Sequence, residues 1–226
     1  MRTCVDYGKI ILSNFPVNVQ QRMVQSVQLA YSIADQVVEQ NPWLNWSVGL
    51  DHLGYLRNIA VEHALKLMIT NVQGLQCHIK PNHRKNFGHI EICSKDCILT
   101  VCQVHRPLAV PRQAVYRKNL ASSNQLAIAG FEDEDLFQDH GDEPNYLILT
   151  HGCRRNTLGQ SPSFIGIGFP NASGNAWHDF IDLTYLTKYD LIVSEDTTAT
   201  TEEALQNDLQ NQIDLLNQMV ILKSHS

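Results

Sequence analysis

Charge is scarce in this chain: Asp, Glu, Lys and Arg make up only 18% of its 226 residues. Long apolar runs are missing too, and nothing approaches the ~20 residues that a membrane-crossing helix needs. The stretch "MRTCVDYGKIILSNFP" has a single early arginine and an apolar run too short for the central region of a secretory signal, so the expected location is cytoplasmic. The patterns G-x4-G-K-[ST], H-E-x-x-H, G-x-S-x-G and paired C-x-x-C are absent. Their absence removes the commonest nucleotide-binding, metalloprotease, hydrolase and zinc-ribbon readings. The glycines of "GIGFPNASG" do not make a phosphate loop, because Phe169-Pro170 follows the strand and no third glycine stands in register to open a helix.

What is present suits a single globular domain over residues 1–226, with 43% hydrophobic residues to fill one core. Solubility rests on the many Gln and Asn side chains more than on ion pairs, a mesophile-like surface. Six cysteines, Cys4, Cys77, Cys93, Cys97, Cys102 and Cys153, are scattered over a chain large enough to fold without staples. Free thiols in a reducing compartment are expected. The spacing Cys93-x3-Cys97-x4-Cys102 lacks the knuckle of a structural zinc site, and no metal or other cofactor is expected.

The net charge of -6 is unevenly placed. His78 to Lys118 holds eight basic residues, Lys80, Arg84, Lys85, Lys95, Arg106, Arg112, Arg117 and Lys118, against Glu91 and Asp96, a local balance of +6. Seven acids crowd into "FEDEDLFQDHGDE", Phe131 to Glu143. The basic stretch, with His83, Phe87 and Tyr116 to stack on bases, suits phosphate and hence nucleic acid, through Lys80, Arg84, Lys85, Arg106, Arg112, Arg117 and Lys118. Opposite blocks so close in sequence also admit a neutralised internal seam, or an acidic cover that competes with a polyanion.

Val17 to Gln40 repeats apolar residues at helical period, and Asn41-Pro42 ends it. Trp43 and Trp46 are expected to plug the gap before a second helix, Tyr55 to Asn71, whose inward side reads as Leu56, Ile59, Ala60, His63, Leu67 and Met68. Strands follow at "LQCHIK", "FGHIEICS" and "CILTVCQVH", the last two joined as a hairpin at Lys95-Asp96. A short helix starting at Pro111 turns Val115 and Leu120 inward, and "NYLILTHG" and "SFIGIGFP" read as central strands. The segment "AWHDFIDLTYLTKYDLIV" fits a short helix or a helix and strand. Thr200 with Glu203 makes a capping box for a final helix striped by Leu205, Leu209, Ile213, Leu216 and Val220. A second stripe, Leu215, Met219 and Leu222, suits self-association or a protein partner. The order predicts an α+β fold: a mostly antiparallel five-stranded sheet, two N-terminal helices, a short middle helix and a long C-terminal one, with the helices on one face or end.

Within the hairpin, period two puts Ile90 and Ile92 on one face and His89, Glu91 and Cys93 on the other. Ile92 then faces Leu99 and Ile90 faces Val101, while Glu91 lies beside Thr100 and His89 beside Cys102. That outer face is either the half-exposed polar side of a sheet or a place where His89, Glu91 and Cys102 converge into a general acid/base group or a metal site. Arg57 and His63 in "RNIAVEH" resemble the R-x4-6-H spacing of the HEPN ribonuclease family, many of whose members are toxins or defence effectors. The likeness covers seven residues of a family that is all-helical, whereas strands follow here. The plainer reading makes Arg57 a solvated residue and His63 a core-edge one. The strand end "THGCRR" places Cys153 near His151 and two arginines, a setting for a nucleophilic thiol.

The expected role is binding or regulation through a charged groove and helical surfaces, without a membrane. The alternatives are a nucleic-acid-processing enzyme using His89 and Glu91, in which alone a divalent metal would enter, and a cysteine-dependent enzyme at Cys153 and His151.

Overall fold

In the computed structural model, residues 6–124, 144–154 and 157–188 are described here, with the side chains of 187 and 188 excepted. The acidic stretch 131–143 and the expected C-terminal helix lie outside the described residues.

Four helices lead the described residues: α1 (Tyr7–Asn14), α2 (Val17–Gln40), α3 (Ser47–Leu50) and α4 (Leu53–Thr70). Strands β1 (Gln76–Pro81), β2 (Gly88–Cys93) and β3 (Cys97–Gln103) precede α5 (Val115–Ala121), and β4 (Asn145–Gly152), β5 (Phe164–Pro170) and β6 (Trp177–Asp182) follow. The fold is α+β, and among the described residues its sheet has six strands in chain order. Each half is an antiparallel meander, and the halves meet at the parallel pair β3 and β4. Parallel neighbours need a crossover, and the connection that carries α5 supplies it.

The limits of α2 coincide with the sequence expectation because prolines bracket it: Pro16 stands just before the first turn and Asn41-Pro42 just after the last. Its buried side, Met23, Val27, Ala30, Tyr31, Ala34 and Val38, packs on α4, and Met23, Val27, Ala30 and Tyr31 join the core under one face of the sheet. Ile90, Ile92, Leu99, Val101, Leu147, Leu149, Ile165, Ile167 and Phe169 form that face and share one core with the helices.

The hairpin keeps the expected register at Glu91 opposite Thr100 and Ile92 opposite Leu99, but the expected pair of Ile90 with Val101 does not form. Its isoleucines are buried in the helical core as period two requires.

Five expectations are corrected. A sixth strand, β6, occupies "WHDFID", where its rings serve the neighbouring strand: a Cβ on Gly166 or Gly168 of β5 would collide with Phe180 or Trp177. The glycines of "GIG" are therefore packing sites for aromatic rings. The helices do not all share one face, since α5 covers the second one, with Ala121 beside Tyr146 and Ile148. That helix starts at Val115 instead of Pro111, and Val115 is exposed. On α4 the buried positions are Leu53, Arg57, Val61, Ala64, Leu65, Met68 and Ile69, so the inward stripe is rotated from the expected one and Ile59 faces outward. Trp43 and Trp46 plug nothing: they are 64% and 54% exposed, while Leu44 between them is buried and the Trp46 indole N–H donates to the Trp43 carbonyl at 2.7 Å.

Among the described residues no helix is long and apolar enough to cross a membrane.

Candidate functional site

Two groups of chemically capable side chains emerge, one on each face of the sheet. On the helical face, Arg57 projects from α4 into the interior and is fully buried. Its guanidinium meets the Asp35 carboxylate at 2.7 and 3.0 Å through Nη2 and at 3.1 Å through Nε. It also donates to the Thr157 carbonyl at 2.9 Å and to Cys153 Sγ at 3.3 Å. Asp35 accepts the Gly159 N–H at 2.7 Å as well, so one ion pair ties α2 and α4 to the segment after β4. The Tyr31 ring lies 4.8 Å from the guanidinium carbon, and its hydroxyl bonds His151 Nδ1 at 3.0 Å.

The plain reading of Arg57 as solvated is thereby overturned, for a guanidinium with this many acceptors can be buried without being stranded. Arg57 also parts company with His63. Six residues apart on a helix they point about 120° away from each other. Arg57 enters the core, whereas His63 lines an open cleft.

His151 and Cys153 are brought to one region, but not as nucleophile and base. Nδ1 of His151 is engaged by Tyr31, Nε2 has no partner, and the ring is wholly buried, which pushes its pKa down to about 3. The hydrogen bond to the Cys153 sulfur comes from Arg57. This arrangement keeps imidazole neutral and fixed, as a core element.

On the second face, Tyr116 of α5 stacks on His89 with ring centroids 3.8 Å apart. His89 Nε2 contacts Glu91 Oε1 at 3.3 Å, and Nδ1 has no partner. Only 3% of His89 is exposed, because α5 lies over what alternation alone marks as a solvent face. Burial holds its pKa below the usual imidazole value, although Glu91 acts in the opposite sense. Arg117 is folded inward, donating to the Arg112 carbonyl at 2.6 Å and to Cys102 Sγ at 3.6 Å, with its guanidinium 5.0 Å from the Tyr116 ring.

Beside this cluster β2 and β3 part company. The ladder stops at Glu91 and Thr100, so His89 and Cys102 never pair across it. Side chains of α4 take over: the Gln103 N–H donates to Asn58 Oδ1 at 3.1 Å, and the Ile90 N–H faces the Glu62 carboxylate. Asn58 and Glu62, one turn apart, are themselves bonded at 3.0 Å. Burial pushes the Glu62 pKa up to about 6, against the pull of Asn58 and Arg117.

Between α4 and the β1–β2 end lies an open cleft of about 420 Å³. Tyr55, Ile59, Ile79 and Phe87 line it and are all exposed, and Glu62, His63, Lys66 and the start of β2 complete it.

The expected phosphate-binding residues fall at one end of the sheet. Lys80 sits opposite His89 in the β1–β2 register and so shares its face. Arg84 and Lys85 occupy the turn between those strands, and Arg106 leaves the neighbouring C-terminal end of β3. Arg112 and Lys118 flank α5. All of these except Arg117 are exposed. Sequence reasoning missed Asp35, Tyr31, Asn58 and Glu62. The pair Asn58 and Glu62 carried a readable signal, two polar side chains four apart on one side of a helix.

Among the described residues no group of three or more His, Cys, Asp and Glu side chains converges as metal ligands would. The chain matches no family model, no curated protein and no solved structure.

Proposed function

We propose that this chain is a binding or regulatory protein that receives a polyanion, nucleic acid first among them, on the basic end of its sheet. The observation that carries the reading is the state of the cations there. Lys80, Arg84, Lys85, Arg106, Arg112 and Lys118 are exposed, and the ion pairs among the described residues are Arg57 with Asp35 and His89 with Glu91. Six cations therefore face water without a carboxylate partner among those residues. Neutralising phosphate and releasing its counterions is the favourable outlet for such a group. Topology gathers them, because the β1–β2 turn and the chain leaving β3 emerge at the same end and α5 lies over the adjoining face.

The binding reading stands ahead of the nuclease reading because His89 is sealed beneath Tyr116 and bonded to Glu91, so it does not reach a phosphate. It stands ahead of the thiol-enzyme reading because His151 is committed to Tyr31.

The test is anisotropy of a labelled oligonucleotide across a salt series, comparing the natural chain with Lys80→Glu/Arg84→Glu/Lys85→Glu. Tight binding at low salt is expected, with the salt slope of the triple variant reduced by about 2 for loss of three phosphate contacts. No binding at low salt, or a slope the charge reversals leave alone, overturns the proposal. Cleavage of the labelled strand that disappears in His89→Ala would restore the nuclease reading.

A further inference from the structure

An open cleft lies between α4 and the β1–β2 turn. Its lining includes four exposed apolar side chains drawn from three separate elements: Tyr55 and Ile59 from α4, Ile79 from β1 and Phe87 from the turn into β2. Exposed apolar groups are ordinary when scattered, and a concave cluster of them is not. The Tyr55 and Phe87 rings stand 6.1 Å apart at 45°, so they present a tilted aromatic wall without closing on each other.

That wall is held ready. The turn carrying Phe87 is locked by its own amides: Asn82 Nδ2 donates to Asn86 Oδ1 at 2.8 Å, the Asn86 N–H donates to Asn82 Oδ1 at 3.2 Å, and the Asn82 N–H donates to the Phe87 carbonyl at 2.7 Å. Lys85 takes a positive φ of 54° to complete it. Such a turn loses little freedom when a ligand arrives, which favours affinity.

Charge says what the ligand is. The residues between Ile79 and Phe87 include Lys80, Arg84 and Lys85, and Lys66 lines the cleft itself. Among the described residues the one lining carboxylate, Glu62, is occupied by Asn58 and faces the Ile90 N–H. A flat apolar ring flanked on both sides by anionic groups meets these demands, and a base within a phosphodiester chain is such a ligand.

We infer that this cleft receives an unpaired nucleobase of single-stranded DNA or RNA, stacked on Tyr55 and Phe87, while the flanking phosphates lie against Lys66, Arg84 and Lys85. The inference rests on the polyanion reading above and refines it. A paired base cannot enter, because its faces are already covered by its neighbours in the duplex. The contacts available are ring faces and apolar side chains, so the preference is for single strands over duplex and only weakly for sequence.

The experiment uses the full chain, in the natural form and as Tyr55→Ala, Phe87→Ala and Tyr55→Phe, each checked for an unchanged circular dichroism spectrum. Affinity is measured for single-stranded DNA, single-stranded RNA, a duplex of equal length and inorganic polyphosphate, which has charge and no bases. The alanine variants are expected to lose about tenfold or more on single strands, as removal of one stacking partner does. Their affinity for polyphosphate should not change, and Tyr55→Phe should bind like the natural chain. A 2-aminopurine placed in the strand should lose fluorescence on binding to the natural chain. Single-strand affinity that survives both alanine changes, or that falls no more than polyphosphate affinity does, overturns the inference and leaves the polyanion reading standing. Failure of all four ligands to bind overturns both.

Discussion

Removing the Arg57 guanidinium by Arg57→Met tests the helical-face network directly. The substitution keeps an unbranched side chain in the interior and deletes the donors to both Asp35 oxygens, to Thr157 and to Cys153. Asp35 is left with the Gly159 N–H for a partner, and its side chain is only 11% exposed. Breaking a buried pair by deleting one member costs about 3–5 kcal/mol, most of it for the charge left behind. Partial exposure of the carboxylate places the expected loss for Arg57→Met near the lower bound, about 3 kcal/mol. Asp35→Asn strands the guanidinium instead, which is completely buried, and should cost about as much. The double variant strands neither charge, so its loss should fall short of the sum of the two by about 2 kcal/mol or more. Urea unfolding followed by circular dichroism measures all four proteins, and equal slopes against urea are required for the comparison. Additivity within about 0.5 kcal/mol would refute the claim that the two residues act as one buried pair.

Three further outcomes follow from particular contacts. Glu62 has a native pKa above the ordinary carboxylate value, so the stability it contributes is complete below about pH 4.5 and is lost as pH rises through about 6. Glu62→Gln keeps an acceptor for Asn58 and Ile90 and should gain up to about 1 kcal/mol at pH 8, after allowance for the group's partial exposure, with no gain at pH 4; a less stable variant at pH 8 would refute this. Gly168→Ala drives a methyl into the Trp177 ring and should cost about 1–3 kcal/mol in thermal or urea unfolding. Trp43→Ser and Trp46→Ser should each change stability by less than about 1 kcal/mol while removing the emission most accessible to acrylamide; a large loss of stability would show the indoles to be packed.

Much of the fold could be read from local pattern where one physical rule acts alone. Prolines bound α2, alternation orients Ile90 and Ile92, and the two-residue loop Lys95-Asp96 sets the register of the hairpin. Where two rules compete the pattern fails. The helix α4 mixes polar and apolar residues around its circumference and buries an arginine, so period alone marks exposed Ile59 as inward and passes over Leu53, Val61 and Leu65. Strand β6 has little alternation of its own, because Trp177 and Phe180 are set by the glycines they cover. The site divides in the same way. His89 and Glu91 share a face by period, but nothing local announces that α5 buries them, since its hold depends on a ring stack and an inward arginine. The partners Asp35 and Arg57 are 22 residues apart in sequence, and only the packing of α2 on α4 joins them.

The parting of β2 and β3 over α4 separates two properties that usually travel together in a sheet. The amide protons of Ile90 and Gln103 belong to strands yet are guarded by helical side chains. Their isotope exchange with heavy water therefore registers the docking of α4, while the amides of Glu91 and Thr100, a residue or three away, register opening of the sheet itself.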